Sequence, residues 1–363
     1  MKAATETNDT HGSHEPFGSP GTGGRPAGRR TGVTVAAVVA LTATLTLLPP
    51  SRADRADDGP QPQKVAAEAA PAAAEAEAED CVEPERSLRP SPQLDEGPTI
   101  DKIKDRGHLI VGIDQSSFRW GYRVGKTMQG FDIDLARAIA ENILGSPDDI
   151  VFRAIPTNQR VDALNTTTDS GVDLVVRTMT INCARSEQVA FSTAYFEAGQ
   201  QVLAPKEGSD ITGYDKSLSG KRVCSADSTT AYDELVKNSF GAVFKDKHDG
   251  TPQDEDILTV PNQLDCLVRL QMGEVDAIVT DNALAAGQAA QDPAVELVGE
   301  PFTKEYYGIA AKLGNDDLVR RVNHVLEEYR AGGADSPWMT SYEKWLEAGL
   351  PGIKAPPEAK YKD

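Results

Sequence analysis

The stretch Gly171–Phe191, GVDLVVRTMTINCARSEQVAF, places a short apolar strand directly before two threonines and an arginine. The pattern predicts a buried strand, a loop at its carboxyl end and then a new helix. Open α/β sheets bind ligands at that edge. The hydroxyls of Thr178 and Thr180 and the planar fork of Arg185 suit a small carboxylate. A solvated loop with a surface arginine fits this segment, taken alone, equally well.

Strands and helices alternate on both sides of this stretch. We predict strands at 108–113, 151–155 and 173–176, with helices at 131–144 and 158–165 between them. After Gly220 the order repeats, with strands at 222–225, 258–260 and 276–280 and helices from Thr229 and Gln263. The alternation predicts an α/β protein with two parallel-sheet lobes. Two extended segments, 199–205 and 301–311, predict a two-strand hinge between them.

Composition divides the 363 residues further. Arginines precede an apolar run at Gly32–Leu48, which predicts an export signal or a membrane anchor and an extracytoplasmic location for the rest. An Ala/Glu/Pro-rich segment follows and predicts disorder. The predicted boundaries are a basic disordered tail over 1–31, the signal or anchor over 32–50, a disordered tether over 51–98, lobe 1 over 99–201 plus 308–350, lobe 2 over 202–307, and a tail over 351–363.

Charge and cysteine content exclude several classes of function. A formal net charge of −19 argues against nucleic acid as a partner, because an acidic surface repels phosphate. The four cysteines lie far apart without a CxxC motif or a histidine cluster, so no metal site is expected. In an exported protein they predict two disulfides, for which three connectivities exist. We predict Cys224 with Cys266 and Cys81 with Cys183, the first worth about 4 kcal/mol on the chain-entropy model.

No catalytic motif is apparent in the chain. GxSxG, GxxxxGK(S/T) and HExxH are absent, and no histidines, cysteines and carboxylates cluster in the sequence. We therefore expect a protein that is not an enzyme and that needs no cofactor.

The second lobe offers two polar loops at strand ends. Ser228, Thr229 and Thr230 open a predicted helix, where hydroxyl and N–H groups can face an anion. Simple N-capping by Ser228 or Thr229 explains them nearly as well. Asp281 follows the strand VDAIVT and could pair with an ammonium, or cap the next helix. A carboxylate clamp in one lobe and an aspartate in the other together suit an α-amino acid.

At this point the chain resembles the polar amino-acid substrate-binding proteins of ABC transporters, and within them the actinobacterial glutamate and aspartate binders. The resemblance covers about residues 100–350. It rests on GFDIDLARAIA from Gly130, RTMTINCAR from Arg177, KRVCSADSTT from Lys221, DCLVRLQMGEVDAIVTDNALAAG from Asp265 and YGIA from Tyr307.

The resemblance implies a type II periplasmic-binding-protein fold that closes on its ligand. It implies that Arg185 holds the α-carboxylate, with donors from Thr178 and Thr180 in one lobe and Thr229 and Thr230 in the other, and that Asp281 takes the ammonium. An aromatic residue of the loop SSFRWGYR is expected to stack on the ligand. Phe118, Trp120 and Tyr122 are the candidates, and we favour Trp120. Ser228 stands where the family usually has glycine.

Side-chain selectivity rests on two more arginines. Arg160 aligns with the arginine that acidic-amino-acid binders direct at the second carboxylate, and Arg177 adds a cation at the clamp loop. Because an unpaired buried cation costs several kcal/mol, both make most sense with an acidic ligand. The alternatives are an exposed Arg160 and a salt bridge from Arg177 to Asp173 or Glu187. Gln263 is a further candidate for a polar contact.

Together with these residues, the resemblance implies that a monomer binds glutamate or aspartate outside the cytoplasm and passes it to an ABC permease. We expect L-glutamate and L-aspartate to bind more tightly than L-histidine or L-arginine. A membrane-anchored sensor that signals to another membrane protein and a kinase is the alternative. A periplasmic enzyme built on the same fold is a minor one.

Overall fold

The computed structural model describes residues 81–91, 96–246 and 257–362. The predicted N-terminal tail, the predicted signal or anchor segment and most of the predicted tether lie outside these ranges. Within the described ranges, no helix is long and apolar enough to cross a membrane.

The described residues contain the alternating helices and strands that the sequence predicts. The helices are α1 (Pro98–Arg106), α2 (Phe131–Leu144), α3 (Arg160–Asn165), α4 (Cys183–Ser186), α5 (Thr230–Lys237), α6 (Gln263–Gln271), α7 (Asn282–Gln291), α8 (Asp316–Arg330) and α9 (Pro337–Trp345). The strands are β1 (Leu109–Ile113), β2 (Ser116–Ser117), β3 (Gly121–Val124), β4 (Thr127–Gln129), β5 (Ile150–Ala154), β6 (Leu174–Val175), β7 (Val189–Phe191), β8 (Phe196–Ala198), β9 (Gln200–Pro205), β10 (Val223–Ala226), β11 (Thr259–Val260), β12 (Ala277–Asp281), β13 (Val295–Val298), β14 (Glu305–Tyr307) and β15 (Ala310–Lys312).

Two five-stranded sheets share one topology, β5-β1-β6-β15-β7 in lobe 1 and β11-β10-β12-β9-β13 in lobe 2. The predicted parallel cores are present, since β1 runs parallel to β5 and β6, and β10 to β11 and β12. Strands β9 and β15 are antiparallel to their neighbours. They follow the crossing between the lobes, so they enter each sheet from its carboxyl edge and run against the parallel strands.

The hinge is a two-stranded antiparallel ribbon of β8 and β14. In its register Glu305 lies opposite Ala198, and Tyr307 opposite Phe196. Phe196 and Tyr307 are buried at 1% and 0% exposure. The ribbon is therefore packed into the lobe 1 core, and it brings Glu305 to the space between the lobes.

The aromatic residues of α9 pack in the core, as the sequence predicts. Trp338 and Tyr342 are each 1% exposed and stack on one another with ring centroids 5.6 Å apart. The Trp345 indole N–H donates to Asp134 of α2 at 2.6 Å. These contacts fix α9 against lobe 1 and leave its aromatics unavailable to a ligand.

The end of the predicted tether is ordered, which corrects the boundary predicted at residue 98. Ser87 is 2% exposed, donates to the Phe191 carbonyl at 2.6 Å and accepts from the Asn323 amide at 2.8 Å. It also pairs with Tyr361, so the predicted C-terminal tail packs on the same face. A buried hydroxyl with several partners holds a segment whose low-complexity composition ends near residue 80.

Both predicted disulfides are confirmed. Cys224 of β10 is bonded to Cys266 of α6 inside lobe 2. Cys81 is bonded to Cys183, the first residue of α4. The second bridge holds the N-terminal segment against lobe 1, two residues from Arg185.

Candidate functional site

The carboxyl-end loops of the two sheets face each other and are in contact. The Thr157 N–H donates to the Pro261 carbonyl across the cleft at 3.2 Å. The Asn158 amide donates to the Asp227 carboxylate at 3.3 Å. The lobes are therefore closed on one another, and the predicted ligand-binding residues lie between them.

The loop after β6 that contains Thr178 and Thr180, here called the clamp loop, is held by a chain of buried hydrogen bonds. Thr178 has a left-handed backbone, with φ of 42°. Its N–H donates at 3.1 Å to the Tyr195 hydroxyl, which donates at 2.9 Å to Asp132. Burial raises the pKa of Asp132 to about 7, although the Tyr195 hydrogen bond opposes the shift. The N–H of Thr178 is thus engaged by the protein itself.

Arg185 follows this loop at the start of a short helix. The Asn182 side chain caps the helix by accepting from the Arg185 N–H at 2.9 Å. The guanidinium donates to the Thr180 carbonyl at 2.7 Å and, across the cleft, to the Ser228 carbonyl at 3.1 Å. Arg185 therefore lies at the meeting point of the two lobes.

Arg160 is buried beside it. Its side chain is 5% exposed, which contradicts the alternative of an exposed helix arginine. It donates to the carbonyls of Thr157 at 2.8 Å and Ser228 at 3.0 Å. Burial and the nearby guanidiniums of Arg185 and Arg177 lower the pKa of Arg160 well below its usual value. Neither Arg160 nor Arg185 forms an ion pair with a carboxylate of the described ranges.

Arg177 differs from its two neighbours. It is 2% exposed and forms an ion pair with Asp114 at 2.5 Å. Burial opposes ionisation of Asp114, yet the Arg177 guanidinium outweighs it and holds the pKa of Asp114 below its usual value. The salt bridge predicted to Asp173 or Glu187 is wrong, since Asp173 pairs with Arg106 instead. The charge of Arg177 is already neutralised within the protein.

Two carboxylates occupy the opposite side of the cleft. Asp281 is 7% exposed, makes no helix-capping bond and accepts from the Tyr307 hydroxyl at 2.5 Å. Burial and nearby Glu305 raise the pKa of Asp281 to about 7. Glu305 is 6% exposed and accepts from the hydroxyls of Thr180 at 2.5 Å and Thr230 at 2.9 Å. The charges of the cleft are thus separated, with cations on lobe 1 and anions toward lobe 2 and the hinge.

The sequence also matches a known family. Residues 109–348 match the model of the bacterial extracellular solute-binding proteins, family 3. The chain belongs to this family.

Its relatives are amino-acid-binding proteins by name. The ABC transporter glutamine-binding protein GlnH of Bacillus subtilis (strain 168) is 30% identical over 69% of this chain and 85% of its own length. The glutamate-binding protein GluB of Corynebacterium glutamicum is 28% identical over 68% of this chain and 84% of its own. An ancestral arginine-binding protein bound to glutamine matches at 34% identity and a TM-score of 0.57, over 66% of this chain and 98% of that structure. These matches confirm the type II periplasmic-binding-protein fold.

In this solute-binding protein the loop before α5 separates the roles of two threonines. Thr229 caps α5, since its hydroxyl accepts from the Tyr232 N–H at 3.1 Å and donates to the Ala226 carbonyl at 2.6 Å. The hydroxyl of Thr230 faces the cleft. Ser228 has a φ of 57°, the left-handed conformation that glycine adopts without strain.

The remaining predicted contacts lie at the edge of the cleft. Trp120 is 1% exposed, packs edge-on against Phe196 and donates its indole N–H to the Ala283 carbonyl at 2.9 Å. The core thus surrounds this ring, and Phe118 of the same loop is more exposed. Gln263 accepts from the Thr157 hydroxyl at 3.3 Å, which links the lobes.

Sequence reasoning missed Glu305 and Asp114. Asp114 directly follows β1, so the rule that polar residues at strand ends form sites points to it. Glu305 was predicted only as part of an extended segment. A single acidic residue before the apolar YYGIAA was the available signal.

Proposed function

We propose that this solute-binding protein captures an acidic L-amino acid, glutamate or aspartate, between its closed lobes for uptake by an ABC transporter. The observation that carries the proposal is the pair Arg160 and Arg185. Both guanidiniums lie in the cleft bonded to neutral carbonyls, with no carboxylate partner in the described ranges.

Two cations in the cleft, Arg160 buried and Arg185 partly exposed, favour a ligand with two carboxylates. Hydrogen bonds to charged groups are the strong ones, and a guanidinium matches a carboxylate with two parallel bonds. Arg185, next to the clamp threonines, suits the α-carboxylate. Arg160 then suits the side-chain carboxylate. Arg177 is excluded from this count because Asp114 neutralises it.

The opposite side of the cleft supports an amino acid rather than a simple dicarboxylate. Asp281 and Glu305 are buried without a cationic partner in the described residues. An ammonium group between them would supply the missing positive charge. The relatives reported above are named for glutamine and for glutamate, so glutamine is the competing ligand.

Calorimetric titration of the purified protein tests the proposal. We expect L-glutamate and L-aspartate to bind more tightly than L-glutamine, L-histidine and L-arginine. Arg160→Met should weaken glutamate binding about 100-fold and glutamine binding less than about 10-fold, because only glutamate has the second carboxylate.

Arg153→Met is the matched control. Arg153 is a half-buried arginine of lobe 1 whose guanidinium bonds the Gly171 carbonyl away from the cleft. It should leave both affinities unchanged. Tighter binding of a basic or neutral amino acid by the unaltered protein would contradict the proposal.

A further inference from the structure

Three acceptor side chains meet where the hinge joins the cleft. Asp281 of β12 and Gln200 of β9 are directly opposite in an antiparallel pair, so their side chains lie on the same face of the sheet. The Gln200 amide N–H donates to the Glu305 carboxylate of β14 at 2.5 Å. All three are buried, with exposures of 7%, 0% and 6% for Asp281, Gln200 and Glu305.

The donors that these acceptors receive are neutral. Tyr307 donates to Asp281, while Thr180 and Thr230 donate to Glu305. No lysine, arginine or histidine of the described residues forms an ion pair with either carboxylate. The guanidiniums of Arg160 and Arg185 act on Asp281 only from lobe 1, without an ion pair. Two neighbouring buried carboxylates repel one another, which is costly unless a cation or a proton lies between them.

The side-chain amide oxygen of Gln200 also lacks a hydrogen-bond donor. Its amide nitrogen faces Glu305, because an amide oxygen there would be repelled by the carboxylate. The amide oxygen is consequently turned away, and it is buried with no hydrogen-bond partner among the described residues. Buried acceptors of this kind usually have a donor, so this one points to a bound group.

Glu305 already accepts from the hydroxyls of Thr180, Thr230 and Thr303 and from the Gln200 amide, so it lacks a positive charge and not a donor. The Gln200 oxygen lacks a donor. A primary ammonium group supplies both, since it has three N–H donors and one positive charge. We propose that Glu305 and Gln200 complete, with Asp281, a three-acceptor site for the ligand's α-ammonium. Glu305 is thereby a ligand-binding residue. The inference rests on the proposed function only in requiring an amino acid, since the ligand side chain plays no part in it.

Charged and titratable groups from β14 and lobe 1 surround Asp281 and set the pH dependence of the site. Glu305 and Tyr307 face Asp281 from β14, and Arg160 and Arg185 face it from lobe 1. Burial and Glu305 raise the pKa of Asp281 to about 7, and a bound ammonium lowers it again.

Other titratable groups lie near this set. The carboxylate of Asp233 in α5 raises the pKa of Arg185. Beneath the clamp loop, Asp132 is bonded to Tyr195 and also has a pKa raised to about 7 by burial, so it contributes to the pH profile of binding near neutral pH.

A cycle that combines a protein variant with a ligand analogue tests the site directly. The full-length protein and Glu305→Gln are titrated with L-glutamate and with glutarate, which is glutamate without its amino group. We expect Glu305→Gln to weaken glutamate about 30-fold and glutarate less than about 3-fold, since only glutamate offers the ammonium. Glu197→Gln is the matched control, because Glu197 lies on the same ribbon but pairs with Lys304 at the surface.

Proton release provides the second readout. In buffers of different ionisation enthalpy at pH 7, glutamate binding to the unaltered protein and to Glu197→Gln should release roughly half a proton. Removing the Glu305 charge lowers the pKa of Asp281, so Glu305→Gln should release almost none.

Three outcomes would overturn the assignment. Glu305→Gln could tighten both ligands, which would mean that Glu305 stands where a ligand carboxylate binds. It could weaken both ligands equally, which would mean a purely structural role. The unaltered protein could also bind glutamate without releasing protons.

Two further arms keep the test decisive. If Glu305→Gln does not fold, Gln200→Met should weaken glutamate about 5-fold and spare glutarate, and equal effects on the two ligands would contradict the site. If the protein prefers glutamine, the same cycle is run with L-glutamine and glutaramate, so failure of the acidic preference and failure of the ammonium site are read separately.

Discussion

The two sides of the cleft are opposite in charge and differ in how completely that charge is compensated. Lobe 1 contributes Arg160, Arg177 and Arg185, of which only Arg177 has a carboxylate partner. Lobe 2 and the hinge contribute Asp281 and Glu305, which accept from hydroxyl and amide donors and form no ion pair among the described residues. The groups that we propose as ligand contacts are therefore those without an ion-pair partner, and not every charged group of the cleft.

The largest expected effect is on the arginine side. Arg185→Met should weaken every amino-acid ligand about 1000-fold, because all share the α-carboxylate and losing a buried charge partner costs about 4 kcal/mol. Calorimetry with glutamate, aspartate and glutamine measures the loss. Arg269→Met, at a surface pair with Glu274, is the control. A loss confined to acidic ligands would mean that Arg185 binds the side chain instead.

The neutralised pair should affect stability instead of selectivity. Arg177→Met leaves Asp114 buried and unpaired, so the free energy of unfolding should fall by about 3 kcal/mol. The double variant Arg177→Met/Asp114→Asn should recover part of this loss and keep the glutamate-to-glutamine affinity ratio. Chemical denaturation and calorimetry measure the two quantities. A changed affinity ratio in the double variant would mean that Arg177 contacts the ligand.

The acidic side should show a pH-dependent stability of the opposite sign to an ordinary ion-paired carboxylate. A raised pKa means that the folded protein holds the proton of Asp281 more tightly than the unfolded chain. The resulting cost is absent below the unfolded pKa of about 4 and grows with pH until about 7.

Asp281→Asn should therefore stabilise the unliganded protein by about 4 kcal/mol at pH 8 and by about 1.5 kcal/mol at pH 5. Denaturation at the two pH values measures the difference. Glu197→Gln, on the exposed side of the hinge, should show no such difference. A stabilisation by Asp281→Asn that is equal at both pH values would mean that Asp281 is not the group whose pKa is raised.

The smallest expected effect is at the loop SSFRWGYR, residues 116–123, beside the charged residues of the cleft. Phe118→Leu should weaken glutamate about 5-fold if its ring lies against the ligand, an effect of about 1 kcal/mol. Tyr122→Phe in the same loop keeps the ring that packs on Phe118 and Trp345, and it should leave affinity unchanged. Calorimetry that found the reverse order would assign the contact to Tyr122.

The sequence allowed the elements of the fold to be predicted because their signals are local. The helix α2 was predicted at its observed bounds from apolar periodicity and from Gly145, which ends it in the left-handed conformation. Both disulfides were also predicted correctly. The antiparallel strands β9 and β15 were not, because strand direction depends on how the chain crosses the hinge.

The site was only partly predictable for the same reason. Loops at strand ends can be located along the chain, so the clamp and Asp281 were identified as candidates. The partner of Arg177 is Asp114, far away in sequence, and no local pattern reports such a pairing. Burial likewise follows from packing, which is why Trp120 was favoured as a contact although the core encloses it.

The bridge between Cys81 and Cys183 has a mechanical consequence. A force applied to the residues before Cys81 is transmitted to lobe 1 through that covalent bond. This force does not pass through the hinge ribbon of β8 and β14 that connects the two lobes. Rotation of lobe 2 about that ribbon therefore neither stretches the Cys81–Cys183 bond nor works against a force on the N-terminal segment.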